Sequence, residues 1–340
     1  MLWSERMKVV KISLLLMMFA MLPVSGLTQE VSHKETDRFE AISKSMEQYF
    51  EASYVTALGG IDQTGNINQN DLFYEGQIYM HLNLLNGDSF HRWFNDDSGN
   101  SSSFFNQHIF SVYFPIRIQM RQLQSNSSPV RTPSYNPGIR LFYTNSAWLN
   151  SENREAMRYL SLGFHHYSNG QSGLHTDPVT GAINTIDGSF STDYVEFAYY
   201  HVTDLPLLKW AKLNVRQYLT GLTWEQGQSD YYQTNVVTVT GKTKKQRIRL
   251  PALGRYDISA TAHLGYKFGR HFISPNVRAK TKDNVQFGLE CEFVPVGWSD
   301  LGLYARWDYG YDYYNINYRN KINRLQFGVV QVFGKGKSEK

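Results

Sequence analysis

The sequence has a single cysteine, little net charge and, after its first residues, no long apolar segment. Cys291 is the only cysteine in 340 residues, so a disulfide framework within the chain is excluded. A formal net charge of +4 is too small for the basic footprint of a nucleic-acid-binding protein. The mean hydropathy of −0.44 excludes a bundle of membrane helices. Aromatic residues nevertheless make up 15% of the chain. This composition favours a β-rich protein with an amphipathic surface.

Residues 1–26 have the pattern of an export signal. Arg6, Lys8 and Lys11 lead into the apolar run Ile12–Leu22, and small residues suited to cleavage follow. The run is shorter than the roughly 20 residues that a membrane-spanning helix needs, which disfavours a permanent anchor. We therefore predict a cleaved signal peptide and an exported mature protein.

Apolar and polar residues alternate with period two along much of the remaining chain. In one such segment Ile78, Met80 and Leu82 face one side, while Gln77 and Tyr79 face the other. Such stretches predict strands with one apolar and one polar face. A water-soluble sandwich also alternates, but its strands are usually shorter than these runs of about ten residues. With an export signal in front, the length favours strands that cross a membrane.

Twelve segments have this pattern, and an even number is usual for a closed bacterial barrel. They are 52–61, 76–86, 109–121, 137–146, 156–168, 193–202, 208–220, 255–268, 271–281, 285–294, 301–311 and 322–333. We predict an all-β fold, a twelve-stranded antiparallel transmembrane β-barrel in the bacterial outer membrane.

The predicted organisation has four parts: a signal peptide at 1–26, a periplasmic N-terminal extension at 27–50, a barrel domain at 51–333 and a short tail at 334–340. An even strand number puts both ends of the barrel on the periplasmic side, so the connection after the fifth strand faces outward. A long loop is predicted at 222–254.

Three polar side chains interrupt the apolar faces of two neighbouring strands. In the segment 156–168, His166 and Ser168 continue the apolar face of the strand. Asp193 occupies the same face at the start of the next strand, which follows the loop 169–192. Because the two strands are antiparallel, the end of one lies beside the start of the other, and Asp193 can reach the imidazole.

These residue types can carry nucleophilic catalysis. A histidine can take the proton of a serine hydroxyl that attacks a carbonyl, and an acidic residue can orient the imidazole and stabilise its charge. Gly170 can bring its backbone N–H close to a developing oxyanion. The alternative is that these are ordinary polar residues near a membrane rim, where two further histidines also lie.

The segment His166-Tyr167-Ser168-Asn169-Gly170 resembles the His-x-Ser-Asn-Gly motif of the outer-membrane phospholipase A family. A second block, 127–137, resembles the Ser-Ser-Pro segment that lies one hairpin earlier in that family, and the likeness extends over residues 50–333. The resemblance implies that Ser168 is the nucleophile, His166 the general base and Gly170 the oxyanion donor. The family has Asn where this chain has Asp193, and the loop before it carries an insertion at 176–187.

The resemblance also implies a Ca²⁺ ion at the interface of a homodimer. Its ligands would be the carbonyl of Gln171, the hydroxyl of Ser189 and Ser127 of the partner subunit. Calcium accepts such neutral oxygen donors together with waters. An apolar surface that includes Val130 would hold acyl chains. The implied activity is calcium-dependent hydrolysis of the acyl ester bonds of (lyso)phospholipids, as a phospholipase A1/A2.

Two non-catalytic alternatives remain open, a passive pore and a degenerate homologue that has lost catalysis. The pore is favoured by charged residues on the predicted lumen face, which could instead pair and plug the lumen. They are Arg117, Arg121, Arg216, Lys267, Glu290, Glu292 and Arg306.

Overall fold

The computed structural model describes the strands of the chain and several of the segments between them. The described residues are 42, 51–57, 71–86, 107–124, 130–149, 157–184, 186–219, 235–251, 254–268, 284–296, 301–314 and 321–331. The predicted signal peptide, the C-terminal tail and all of the predicted extension except residue 42 lie outside them, so those boundaries stay predictions. Within the described residues, no helix has the length and apolar character to cross a membrane.

Within the described residues, the chain forms thirteen strands. They are β1 (Ser53–Ala57), β2 (Asp71–Leu85), β3 (His108–Gln124), β4 (Val130–Asn145), β5 (Arg158–Ser168), β6 (Ser191–Val202), β7 (Leu208–Leu219), β8 (Asn235–Thr243), β9 (Gln246–Leu250), β10 (Gly254–Phe268), β11 (Asn284–Pro295), β12 (Leu301–Tyr311) and β13 (Lys321–Gln331), with a short 3₁₀ helix at Ser146–Trp148.

The strands close into an antiparallel barrel. From β1 to β8 and from β9 to β13 each strand pairs with the next strand in the chain, and β13 pairs with β1. Both β8 and β9 pair with β10, so together they fill one position in the ring. The ring therefore has twelve positions, and the predicted fold class and strand number are confirmed.

Burial in this barrel is the reverse of burial in a soluble protein. Apolar side chains such as Ile78, Leu82 and Leu162 point outward and are exposed, whereas polar side chains such as Gln119 and Gln326 point into the lumen and are buried. Period-two alternation sends successive side chains to opposite faces of each strand. An apolar outside around a polar inside is the arrangement expected of a barrel that is solvated by lipid.

The connections at each end of the barrel vary in length. We call the end at which β5 passes into residues 169–190 the site end, and the other the opposite end. At the opposite end, residues 203–207 join β6 to β7, whereas residues 86–107 join β2 to β3.

Two of the predicted segments need correction. The predicted loop 222–254 contains β8 and β9, which supply the eighth position of the ring, and Thr243 of β8 pairs with Leu208 at the opposite end. The predicted strand 271–281 lies outside the described residues. The strands on either side of it, β10 and β11, pair directly with each other, so the ring has no position for a strand between them.

Most of the charged side chains predicted for the lumen are paired. Arg121 contacts Glu75 at 2.5 Å and Asp312 at 2.6 Å. The other pairs are Arg117–Glu51, Arg216–Glu196, Arg306–Glu290 and Lys242–Glu292. Within the described part of the chain Lys267 has no ion pair, and it lines a lumen cavity of about 330 Å³.

Residue 42 lies inside the barrel at the opposite end. Ile42 is 1% exposed and packs in a cluster of buried side chains contributed by β3 to β7, among them Tyr113, Phe142 and Trp210. Its backbone carbonyl accepts a hydrogen bond from the Tyr159 hydroxyl at 3.3 Å. A residue that precedes the first strand thus contributes to an apolar cluster on the β3–β7 side of the lumen.

Candidate functional site

Strands β5 and β6 place the three predicted catalytic side chains on one outward face at the site end. His166 and Ser168 continue the face of the exposed Leu162 and Phe164, while His165 points into the lumen and is buried. In the register between the two strands, His166 lies directly opposite Asp193. The phase predicted from the sequence is the phase that the strands adopt.

His166 and Asp193 are joined by a hydrogen bond. The distance from His166 Nδ1 to Asp193 Oδ1 is 2.8 Å. The imidazole is 39% exposed, whereas the carboxylate is only 6% exposed. Asp193 lies between His166 on β5 and Leu219 on β7, which limits its contact with solvent. A carboxylate that accepts from Nδ1–H leaves Nε2 as the basic nitrogen of a neutral imidazole.

Ser168 is on the same face as His166 but is not bonded to it. Residues i and i+2 of a strand are about 6–7 Å apart along the chain, close enough for a serine and an imidazole to meet after side-chain rotation. Among the described residues, neither the Ser168 hydroxyl nor Nε2 of His166 has a hydrogen-bond partner. Catalytic hydrogen bonds are often long before substrate binds. The predicted nucleophile and the predicted base are therefore near each other, and both have free hydrogen-bonding atoms in the described part of the chain.

Asn169 ties together the two ends of the segment that follows the site. Its backbone N–H donates to the carbonyl of Phe190 at 3.0 Å. Its side-chain oxygen accepts from the backbone N–H groups of Phe190 and Gln171, and its side-chain nitrogen donates to the carbonyl of Gly188. Asn169 is buried. One asparagine therefore closes the base of the loop beside Ser168.

Gly170 has the backbone freedom and the donor that an oxyanion site needs. Its φ of 66° is in the left-handed region that favours glycine. The N–H groups of its neighbours Asn169 and Gln171 donate within the loop. In the described part of the structure, the N–H of Gly170 has no such acceptor. Gly170 thus offers a backbone donor beside Ser168 that no described residue uses.

The predicted insertion at 176–187 is a small hairpin-like extension of this loop. Thr176 and Ile183 form an antiparallel bridge, and Ile183 packs against a buried cluster of Tyr167, Phe190 and other side chains at the mouth of the lumen. At the exposed tip, the backbone N–H groups of residues 180 and 179 donate to the carboxylate of Asp177 and hold its pKa below the usual value. The extension thus has internal order and covers part of the lumen mouth.

Two of the three predicted calcium ligands lie within the described residues. Gln171 and Ser189 lie at the two ends of the loop that Asn169 closes. A backbone carbonyl and a serine hydroxyl are suitable donors for a hard cation, but two neutral oxygens are too few for Ca²⁺. Ser127 lies outside the described residues. In the described part of the chain, no three His, Cys, Asp or Glu side chains come together as a metal cluster.

A polar network lies directly behind the site, on the lumen side. Tyr194, next to Asp193 in β6, stacks on His165 with ring centroids 4.9 Å apart, and the Arg216 guanidinium lies 4.3 Å from the centre of its ring. The side chain of Asn136 reaches from β4 to the backbone carbonyl of His166. These residues fix the lumen side of the strands whose other side carries the catalytic candidates.

No protein-family model and no curated protein sequence matches this chain. Among solved structures, outer membrane phospholipase A from Escherichia coli is similar at a TM-score of 0.48 and 14% identity, over 86% of this chain and 98% of that chain. The Salmonella typhi outer membrane phospholipase dimer with bound calcium gives 0.48 and 15%, over 87% and 98%. The β domain of the Bordetella autotransporter BrkA gives 0.33 and 12%, over 83% and 98%.

Two residues of the site have contacts that the motifs do not predict. Asn169 is part of the His-x-Ser-Asn-Gly motif, and its bonds organise the loop. Asn136 belongs to the block 127–137, and its amide bonds to the backbone of His166. A signal for Asn169 is its place directly after a strand end and before a glycine, where asparagine commonly bonds to nearby backbone.

Proposed function

We propose that this protein is a serine hydrolase of the bacterial outer membrane that cleaves the acyl ester bonds of (lyso)phospholipids. The observation that carries the proposal is the hydrogen bond between His166 and Asp193, on an outward face, with Ser168 two residues away. A paired histidine and carboxylate on the apolar side of a barrel have little value for folding. Beside a free serine hydroxyl, they are the parts that an acyl-transfer reaction requires.

In the first half of the reaction, the ester carbonyl carbon is attacked by Ser168 Oγ. The hydroxyl proton passes to Nε2 of His166, and Asp193 stabilises the imidazolium that forms. The carbonyl oxygen becomes an oxyanion that accepts a hydrogen bond from the N–H of Gly170. When the tetrahedral intermediate collapses, the bond to the lysophospholipid oxygen breaks, and that oxygen takes the proton from His166. The acyl group remains on Ser168.

In the second half, water hydrolyses the acyl-enzyme. His166 takes a proton from the water, whose oxygen attacks the acyl carbon. The bond to Ser168 then breaks, the serine oxygen recovers its proton from His166, and a fatty acid leaves. Both halves use the same base and the same oxyanion donor.

The position of the site suits a substrate that arrives from a lipid layer. Leu162 and Phe164 precede His166 on the outward face and are exposed, as is Val130 on the neighbouring strand β4. Acyl chains that lie along this face bring an ester group to the rim, where headgroups are located. A water-soluble ester would reach this face of the barrel less readily.

We further propose that Ca²⁺ and a second copy of the chain complete the site. Gln171 and Ser189 offer oxygen donors from one subunit, and the resemblance assigns a further donor to Ser127 of the partner subunit. Bound calcium would supply positive charge near the oxyanion. The requirement for ligands from both subunits would make activity depend on dimerisation.

The test is the release of fatty acid from mixed phospholipid–detergent micelles by the refolded protein. We expect release in the presence of Ca²⁺, loss of release with a chelator, and recovery with Ca²⁺ but not with Mg²⁺. Ser168→Ala should abolish release. Ser191→Ala is a matched control, because Ser191 lies directly opposite Ser168 on the same face. A fluorophosphonate probe should label the wild type and the control but not Ser168→Ala.

The result that contradicts the proposal is a wild type that is folded, yet releases no more fatty acid than Ser168→Ala under any of these conditions. Folding can be checked by the shift in electrophoretic mobility that barrels show on heating. Activity that persists in the chelator would leave the hydrolase intact and remove calcium from the proposal.

A further inference from the structure

The strand pair that holds His166 has a gap in its hydrogen-bond ladder at that residue. Between β4 and β5, Tyr135 lies opposite Ser168, and Gly138 lies opposite the residue before His166. The same register puts Pro137 opposite His166. A proline has no backbone N–H and cannot donate to the facing strand.

The carbonyl of His166 faces this proline. Successive residues of an antiparallel strand direct their backbone groups alternately to one neighbour and to the other. The N–H of the odd-numbered residue Asn169 donates to Phe190, on the side of β6. The even-numbered residues of β5, His166 among them, therefore direct their backbone groups toward β4. The His166 carbonyl therefore points to the position where Pro137 has no proton to give. His166 and Asp193 then form a non-hydrogen-bonded pair, in which facing side chains are closest.

The side chain of Asn136 supplies the missing donor. Its Nδ2 donates to the His166 carbonyl at 2.9 Å. Its Oδ1 accepts from the Tyr194 hydroxyl at 2.8 Å and from Arg117 at 3.4 Å. Because two donors hold the amide oxygen, the amide nitrogen is aimed at the carbonyl. Asn136 is buried on the lumen side. Its amide thus links the lumen network to the backbone of His166.

We propose that Asn136 is a positioning residue for His166. By replacing the ladder hydrogen bond that Pro137 cannot make, it fixes the backbone of His166 and with it the imidazole between Asp193 and Ser168. The inference rests on the hydrolase function proposed above. Asn136 lies on the lumen side of β4 and substrate binds on the outward side, so its loss should lower kcat and leave KM unchanged.

The test is a double-mutant cycle of Asn136→Ala and Pro137→Ala, with fatty-acid release as the readout. The single change Asn136→Ala should lower kcat by about tenfold, as expected for one lost hydrogen bond to a buried carbonyl. Pro137→Ala should keep the wild-type kcat. The double variant should recover most of the loss, because the N–H of an alanine at position 137 can complete the ladder. A general loss of lumen packing would not be repaired in this way.

Asn214→Ala provides a matched control, since Asn214 is a buried lumen asparagine on β7. It should keep the wild-type kcat. If Asn136→Ala does not fold, Asn136→Asp takes its place, because aspartate keeps the shape and the acceptor but cannot donate. A wild-type kcat in the single variant, or a double variant no better than the single one, overturns the inference. A wild type as inert as Ser168→Ala overturns the proposed function, and the inference with it.

Discussion

The ion pair behind the site should contribute strongly to the stability of the barrel. Glu196 is buried, with its side chain 3% exposed, and its two oxygens accept from Arg140 at 2.6 Å and from Arg216 at 2.9 Å. Glu196→Gln keeps the shape of the side chain but removes the negative charge between two guanidinium groups. It also turns an amide NH₂ toward one of them, so that two donors face each other.

Removal of one partner from a buried ion pair costs about 3–5 kcal/mol. The matched control is Glu51→Gln, because Glu51 pairs with Arg117 at 3.2 Å but its side chain is 43% exposed. An exposed pair contributes at most about 1 kcal/mol. The free energy of unfolding can be measured by urea titration of the barrel in detergent micelles, followed by tryptophan fluorescence. Losses of equal size in the two variants would refute the assignment of a buried, charge-bearing network.

Two further predictions concern the site and the lumen. Asp193→Ala should lower fatty-acid release by at least about a hundredfold, because the imidazole loses its orienting acceptor. Asp193→Asn keeps an acceptor oxygen and should stay within about tenfold of the wild type. Equal losses in both variants would mean that the charge is essential. In planar bilayers the protein should give no steady open-channel current, since Arg121 is paired in the lumen and Ile42 packs in an apolar cluster inside it. Deletion of residues 27–50, which removes Ile42, should produce current steps. Steady current from the intact protein would favour a pore.

The barrel could be predicted from the sequence wherever one strand face is apolar throughout. Alternation located most of the strands because a lipid-facing side chain at every second position leaves a clear period. It failed at β8 and β9, where the basic residues from Lys242 to Arg249 indicate a solvated loop, although Val237 and Val239 of β8 share one face. The prediction for β4 began at residue 137, whereas the strand begins at Val130. Pro133 and Pro137 argue against a strand in sequence, yet both lie within β4.

The candidate site could be predicted in part for the same reason. His166, Ser168 and Asp193 are out of place on an apolar face, and the connection between two antiparallel strands brings them together. The role of Asn136 could not be predicted, because it depends on the register between β4 and β5 and on the position of a proline in that register. The order of the 169–190 loop likewise depends on side-chain contacts that have no period.

The bonds made by Asn169 make the positions of the candidate catalytic residues independent of the length of the loop that follows them. Because Asn169 bonds to the chain on both sides of the extension, the segment from Gly173 to Gly188 begins and ends at fixed positions. Residues added to or removed from the tip change the closure entropy only slowly with length. Residues at the tip can therefore be replaced, inserted or deleted, in evolution or by design, without a change in the position of Ser168. New recognition elements can be added beside the serine in this way.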